Sequence, residues 1–374
     1  MGLIKPLLKR SHHVLVSDEG DLCIGEIPGR SKIIPQPPPW VAVVLGLLDG
    51  QHTVPRILKE VAAQGLGVAA EEVTVFIDAL VGFGLVEENA WVSAVLGAEE
   101  LERYDRQILQ FALVDQQRVA NAVIYQERLK QARVLVLGMG GWGTWCCLQL
   151  ARCGVGTLRI VDGDTVETSN LNRQILYTAA DVGRSKVAAA TDSLRAHNPN
   201  VRVEGVAAFA EADPQQLAGL LEQVDLVVLA WASLGYYRQC TVERVLHRLA
   251  AERGIAVMEL GGDPLDIAVG PIYPYDGSHP DFEQLRVPAQ QRFYSAEPLL
   301  RAFQEARLRN AFCDGNRTVN AWQSAPSLGV MAGLAADQAV NLLTGYDRCN
   351  LVGTRLHFSL QTYQFREEVV FARS

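Results

Sequence analysis

The chain has 374 residues, 49% of them apolar, and 34 Lys and Arg against 42 Asp and Glu give a formal charge of −8. That length exceeds the usual single domain and predicts two, while the acidic balance argues against a nucleic-acid partner, whose phosphates need a basic surface. No run of about 18 uninterrupted apolar residues offers a membrane span, and Lys5, Lys9, Arg10, Asp18 and Glu19 leave no apolar signal segment at the start, so a soluble cytoplasmic protein is expected.

Residues 1–92 predict a small α+β domain. HHVLVS and DLCIGEI alternate like half-buried strands around the turn at Asp18, Glu19 and Gly20. Pro37, Pro38 and Pro39 then start a helix over Trp40 to Leu48. Thr53 is the expected N-cap of a second helix, with Pro55 in its first turn. A third helix, AEEVTVFIDALVGFG, carries acids in its first turn and an apolar stripe at Val73, Phe76, Ile77, Leu80 and Val81. Short strands around Leu85 and Trp91 would close a wing.

Such a winged helix suggests DNA binding at first sight. Residues 1–90 nevertheless hold seven Lys or Arg against eleven Asp or Glu, which makes DNA a poor partner. The pattern resembles instead the PqqD-type precursor-peptide recognition element. That resemblance implies a leader peptide added as a strand along the sheet edge beside the third helix, a mode read through backbone hydrogen bonds that leaves little trace in sequence. A packing appendage is the alternative, because fold alone does not fix function.

A linker at 93–100 leads into LERYDRQILQF, where Arg106, taken alone, reads as a surface salt bridge to Asp105 or Glu102. Next comes RVLVLGMGGWG, an apolar strand running into Gly138, Gly140, Gly141 and Gly143. A G-x-G-x-x-G set between strand and helix lets backbone amides approach a phosphate closely. The helix over Gly143 to Cys153 should end at Gly154, and LRIVDGD gives a second buried strand ending in Asp162 and Asp164, completing a βαβ unit. Glycines alone would equally suit a nicotinamide dehydrogenase. Beyond them, however, Asn170, Arg173, Gln174 and Lys186 add amide and cationic donors. A dinucleotide's pyrophosphate needs little more than the helix end, whereas a triphosphate needs several cations.

Taken together, G-x-G-G-x-G, then V-D-x-D-x-V-x-x-S-N-L-N-R-Q, then D-V-G-x-x-K resemble the E1-like adenylating superfamily of ThiF-, MoeB-, ubiquitin-activating and MccB-type enzymes, from Leu101 to the C-terminus. The resemblance implies a Rossmann-like α/β adenylation domain over 101–374 with a mostly parallel sheet, acting on ATP with Mg²⁺. Amides at Gly138, Gly140, Gly141 and Gly143 would cradle phosphates, and Asp162 would hold the ribose hydroxyls. Asp164, Asn170 and Gln174 would complete the nucleotide site. Arg173 and Lys186 would offset phosphate charge, joined by Arg106 reaching across a homodimer interface to the neighbouring subunit's γ-phosphate.

Further along, DSLRAHNPNVRVEGV reads as helix then strand, and VDLVVLAWAS as another buried strand. Here the chain departs from the family pattern: Ala232 stands where a magnesium-binding aspartate is usual, leaving Glu259 or Asp263 as substitutes. Residues 271–316 form the crossover region that the resemblance places over the substrate tail. The helix SAPSLGVMAGLAADQAVNLLTG, ended by Gly345, and the closing strands of TRLHFSLQTYQFREEVVF finish the chain.

Seven cysteines form no C-x-x-C pair, so no zinc is expected, and their odd number argues against a disulfide framework. Cys313 is the nearest candidate for a thioester-forming thiol, although a lone cysteine without a cationic neighbour is more often packing. Cys146 and Cys147 should face the core, and the seven histidines show no ligand spacing.

The function expected is ATP-dependent activation of a carboxylate in a ribosomally made precursor peptide, captured by a nucleophile of the same peptide during antibiotic maturation, as in glutamate-based cyclisation to pantocin. The competing expectation, favoured by Ala232, is a non-catalytic ThiF-like partner that presents a bound leader to a separate cyclodehydratase. The convergent cations favour the enzyme, since their mutual repulsion costs stability without an anion.

Overall fold

The computed structural model describes residues 3–115, 117–231, 236–262, 266–279, 282–285, 297–308 and 323–372, with side chains omitted for 236–241 and 304–308. Two compact units are present: residues 1–128 with 344–347, and residues 129–343 with 348–374.

The first unit begins with β1 (Pro6–Leu8), β2 (Val14–Val16), β3 (Leu22–Ile24) and β4 (Lys32–Ile34), followed by α1 (Pro39–Leu47), α2 (Val54–Ala63) and α3 (Ala70–Gly82). Next come β5 (Val86–Glu88), α4 (Ala98–Arg103), α5 (Asp105–Val114) and α6 (Val123–Gln131), whose last turn enters the second unit. β2, β3 and β4 form an antiparallel sheet in that order, with Val14 opposite Ile24 and Leu22 opposite Ile34. The three helices fall where periodicity places them. Thr53 takes the N-cap position without a side-chain capping hydrogen bond.

Two expectations are corrected. β2 is not half-buried: Val14, Leu15 and Val16 are all exposed, because it is the central β3 that turns Leu22 and Ile24 into the helical core. The wing does not close through Trp91, which lies in no strand. β5 pairs instead with β1, Pro6 opposite Glu88, because the N-terminal segment supplies the antiparallel partner. The core of this unit gathers Ile24, Val44, Leu48, Ile57, Val73, Ile77 and Leu80. Each such side chain stabilises the fold by about 1.5–3 kcal/mol relative to exposure.

A buried polar cluster ties α5 to the N-terminal strands. Lys9 Nζ donates to the Ala112 carbonyl at 2.9 Å and lies 3.6 Å from Asp115, which also accepts from the Tyr125 hydroxyl. Burial pushes the Lys9 ammonium down in pKa, opposed by the Asp115 carboxylate, and burial pushes the neighbouring Glu87 carboxyl up. Beside this cluster the Tyr346 ring packs 4.6 Å from Phe111 and 6.1 Å from Tyr125, and Arg128 donates to the Thr344 carbonyl.

The second unit carries β6 (Arg133–Leu137), α7 (Gly141–Cys153), β7 (Thr157–Val161), α8 (Lys186–His197), β8 (Arg202–Val206), α9 (Pro214–Leu220), β9 (Leu226–Leu229), α10 (Tyr236–Arg253) and β10 (Ala256–Gly262). These are followed by β11 (Asp266–Tyr273), α12 (Pro298–Leu308), α13 (Ala325–Thr344), β12 (Thr354–Ser359) and β13 (Phe365–Val369). One sheet of eight strands runs β13-β12-β11-β10-β9-β6-β7-β8. The segment from β10 to β8 is parallel, and β11 to β13 extend it antiparallel. Parallel strands covered on both faces need near-continuous apolar runs, and Val134 to Leu137 and Leu226 to Leu229 are buried throughout. The strand order reverses between β6 and β9. In open α/β sheets ligands bind outside the carboxyl ends of the strands at such a switch point.

Candidate active site

The loop after β6 is built by close backbone approach. Gly138 has φ +98°, a conformation L side chains rarely adopt, and a Cβ there would lie 2.8 Å from the Ala230 carbonyl oxygen after β9. Gly143 permits the tightest contact: a Cβ would sit 1.8 Å from the Gly138 carbonyl oxygen. Only glycine fits either position, and the turn therefore lies flat across the switch point. Gly140 is the N-cap of α7 and Gly141 its first residue. By helical geometry the first amides of α7 have no intrahelical acceptor and carry the positive end of the helix dipole.

Met139, at the centre of the turn, is held at both ends. Its amide donates to Asp162 Oδ2 at 2.7 Å and its carbonyl accepts the Tyr177 hydroxyl at 2.8 Å. Burial, reinforced by the Asp162 carboxylate, pushes the Tyr177 phenol far up in pKa, so it stays a neutral donor. Asp162 Oδ1 accepts the Asp164 amide at 2.8 Å, which folds the chain after β7. Asp164 in turn pairs with Lys186, the first residue of α8, Nζ to Oδ2 at 2.9 Å, the lysine side chain 9% exposed and the aspartate 52%.

The SNLNRQ segment follows as a tight turn. The Asn170 carbonyl accepts the amides of Arg173 and Gln174, and Asn170 Oδ1 accepts the Glu167 amide. The Arg173 carbonyl accepts the Trp145 indole N–H from α7 at 2.9 Å. Gln174 lies beside the glycine turn, its Nε2 3.9 Å from where a Gly140 Cβ would be. Two side-chain atoms here are buried and lack a hydrogen-bond partner among the described residues: Arg173 Nε and Gln174 Oε1. A buried polar atom left unmatched costs about 1–3 kcal/mol. A donor and an acceptor orphaned beside a glycine turn suit a polar ligand such as a nucleoside triphosphate.

Gly138, Gly140, Gly141, Gly143, Asp162, Asp164, Asn170, Arg173, Gln174 and Lys186 thus follow the carboxyl ends of β6 and β7. Arg106 belongs to the first unit; its side chain is 88% exposed and pairs with Asp105 at 2.7 Å, the local salt bridge that the sequence also suggests. Glu259 is engaged by Arg355 Nη2 at 2.6 Å. Ala232, Asp263 and Cys313 lie outside the described residues. Among the described residues no three His, Cys, Asp or Glu side chains are grouped to hold a metal ion. Cys146 and Cys147 are buried as expected, and burial raises the Cys146 thiol to about 12, an inert side chain. Tyr177, Trp145 and Leu328, whose Cδ1 would be 2.7 Å from a Gly141 Cβ, also shape the site and belong to no motif of the sequence. A tyrosine three residues past Asn170-to-Gln174 and a tryptophan two past the last glycine were the available signals.

A glycine turn at a topological switch point, facing clustered cations and amides, defines a nucleotide-binding α/β protein of the adenylate-forming kind. The chain belongs to the ThiF family, whose sequence profile matches residues 104–373, and residues 11–70 match the PaaA-like N-terminal domain. It is therefore an E1-like ATP-dependent adenylating enzyme. The Escherichia coli K12 molybdopterin-synthase adenylyltransferase is 31% identical over 274 residues, covering 73% of this chain and 94% of that protein. A crystal structure of PaaA shares 45% identity at TM-score 0.79, covering 97% of this chain and 100% of that one. The E. coli MccB structure with ATP is 19% identical at TM-score 0.70, covering 99% and 97%, and shows the same fold. No helix among the described residues is long and apolar enough to cross a membrane.

Proposed function

We propose that this enzyme adenylates a carboxylate of a ribosomally made precursor peptide bound by its N-terminal unit. The observation that carries the nucleotide half is the pair Arg173 Nε and Gln174 Oε1, buried without a partner among the described residues, with Gln174 next to Gly140 and Arg173 tied to α7 through Trp145. In this reading the α7 amides receive phosphate oxygens, and Arg173 and Lys186 offset their charge. Asp162, with lone pairs left after its two backbone bonds, meets the ribose, and Arg106 of a second copy completes the site in a homodimer. The peptide carboxylate oxygen attacks the α-phosphorus, the bond to the bridging oxygen breaks, and pyrophosphate leaves. A nucleophile of the same peptide then displaces AMP from the acyl-adenylate. Catalysis would be positioning and preorganised charge.

The peptide half is supported by the PaaA-like N-terminal domain and by the relatives: MccB has been crystallised with the peptide MccA and is described as a microcin C7 biosynthetic enzyme. The similarity to PaaA along nearly the whole chain supports peptide-modifying adenylation, and glutamate-directed cyclisation of the pantocin type is the form of it that we propose. The test is ATP–pyrophosphate exchange with purified protein, Mg²⁺ and candidate precursor peptides from short neighbouring reading frames. Peptide-dependent exchange, lost in Arg173→Ala with leader affinity retained, is expected. Leader binding without any exchange would support a presenting partner instead.

A further inference from the structure

We infer that Trp145 is a positioning residue for Arg173, setting the phosphate-binding arginine through its backbone rather than its side chain. This rests on the proposed nucleotide reading of Arg173. Trp145 stands on the first turns of α7, immediately behind Gly143, and its indole Nε1–H donates to the Arg173 carbonyl at 2.9 Å. Among the described residues the Arg173 guanidinium has little else to define it: Nη1 donates to the Ser169 carbonyl at 2.6 Å and to Asn172 Oδ1 at 3.1 Å, both within its own turn, while Nε is buried without a partner. Those local bonds fix the side chain relative to residues 169–172 only. The indole bond is what references the turn to α7, the helix whose N-terminus would meet the same phosphates.

The ring is itself immobilised from the other side. Gly329 of α13 lies against it, a Cβ there being 3.5 Å from Cζ3, and the preceding residue Leu328 packs on Gly141. A tryptophan thus spans three elements: its stem on α7, its edge on α13 and its N–H on the arginine turn. A planar donor with two side-chain torsions holds such a distance at low entropic cost. Nothing in a general phosphate-binding turn requires an indole at this place, so its chemistry calls for an explanation that packing alone does not supply: the N–H points at a main-chain acceptor adjoining a ligand-binding side chain.

The test is a double-mutant cycle on the full chain, reading ATP and adenosine affinity by calorimetry and thermal stability in parallel. Trp145→Phe keeps an aromatic ring on α7, smaller than the indole, and removes the donor. It should weaken ATP binding about tenfold, somewhat more than one neutral hydrogen bond because the arginine moves with it, while leaving adenosine affinity within about twofold. Arg173→Ala should weaken ATP by more, and adding Trp145→Phe to it should cost nothing further. Equal losses for ATP and adenosine, or additive effects of the two substitutions, would overturn the inference by making Trp145 an ordinary packing residue. Unchanged ATP affinity in Trp145→Phe alongside a loss in Arg173→Ala would also overturn it, yet spare the nucleotide reading. Full ATP affinity in Arg173→Ala would sink both.

Discussion

Asp162 accepts the Met139 amide at 2.7 Å through one carboxylate oxygen and the Asp164 amide at 2.8 Å through the other. One side chain therefore closes two loops, the glycine turn after β6 and the bend after β7. Asp162→Ala strands both amides and should cost about 1–3 kcal/mol of stability and abolish nucleotide binding. Asp162→Asn keeps one acceptor but sets its NH2 against the second amide, so it should retain only part of that stability while losing nucleotide affinity. Denaturant titration with ATP calorimetry distinguishes them; equal behaviour of the two would refute the two-oxygen account.

Lys186 and Asp164 form an ion pair with the aspartate half in water, so the pair should add less than about 1 kcal/mol to folding. Lys186→Ala is expected to leave the melting temperature within a few degrees, as about 1 kcal/mol does at most in a chain this long. It should nevertheless suppress pyrophosphate exchange at least about a hundredfold by removing a cation from the developing charge. A large drop in melting temperature would assign Lys186 a structural role instead.

His247 gives a pH dependence with a definite sign. It is fully buried on α10, stacked 3.7 Å from Phe282, with Nδ1 2.6 Å from the Tyr275 hydroxyl, and burial lowers its pKa from 6.5 to about 3, His279 adding to the shift. Between those values the unfolded chain binds a proton that the folded chain refuses. Its contribution is therefore complete above pH 6.5 and is lost as pH falls towards 3, with a slope of at most about 1.4 kcal/mol per pH unit. Glu259, 3.8 Å from His247 Nε2 and raised by burial, titrates with the opposite sign. Subtracting the stability profile of His247→Gln from that of the parent isolates the histidine; a flat difference between pH 4 and 6.5 would contradict its buried neutral state.

Lys9 is the stability test for the first unit. Lys9→Met leaves Asp115, whose side chain is buried, without its cation, and should destabilise by about 3–5 kcal/mol. Adding Asp115→Asn removes the uncompensated charge and should restore much of the loss. Chemical denaturation of the single and double variants measures the coupling, and additive effects would show that the two do not interact.

Much of this was legible in the residues. The glycine turn, α7 with its Gly154 stop, the acids after β7 and the cationic turn lie where spacing put them, because each depends on local chemistry: a φ only glycine tolerates, a helix start, a run of aliphatics. The clamp on Met139 was not legible, since Tyr177 reaches it from 38 positions away and any buried tyrosine would look the same in sequence. Likewise β1 pairs with β5 across about eighty residues, and the exposed face of β2 breaks the alternation that predicted its burial. Long-range pairing and a missing layer leave no periodic mark.

The aromatic contact of Tyr346 with Phe111 and Tyr125, reinforced by Arg128 on the Thr344 carbonyl, brings residues near the far end of the chain back into the first unit. Anyone grafting a different N-terminal module onto this scaffold would have to make two seams, replacing the returning segment as well as the leading one. A single-junction chimera would leave an aromatic socket empty, and swaps between relatives should succeed only where both pieces travel together.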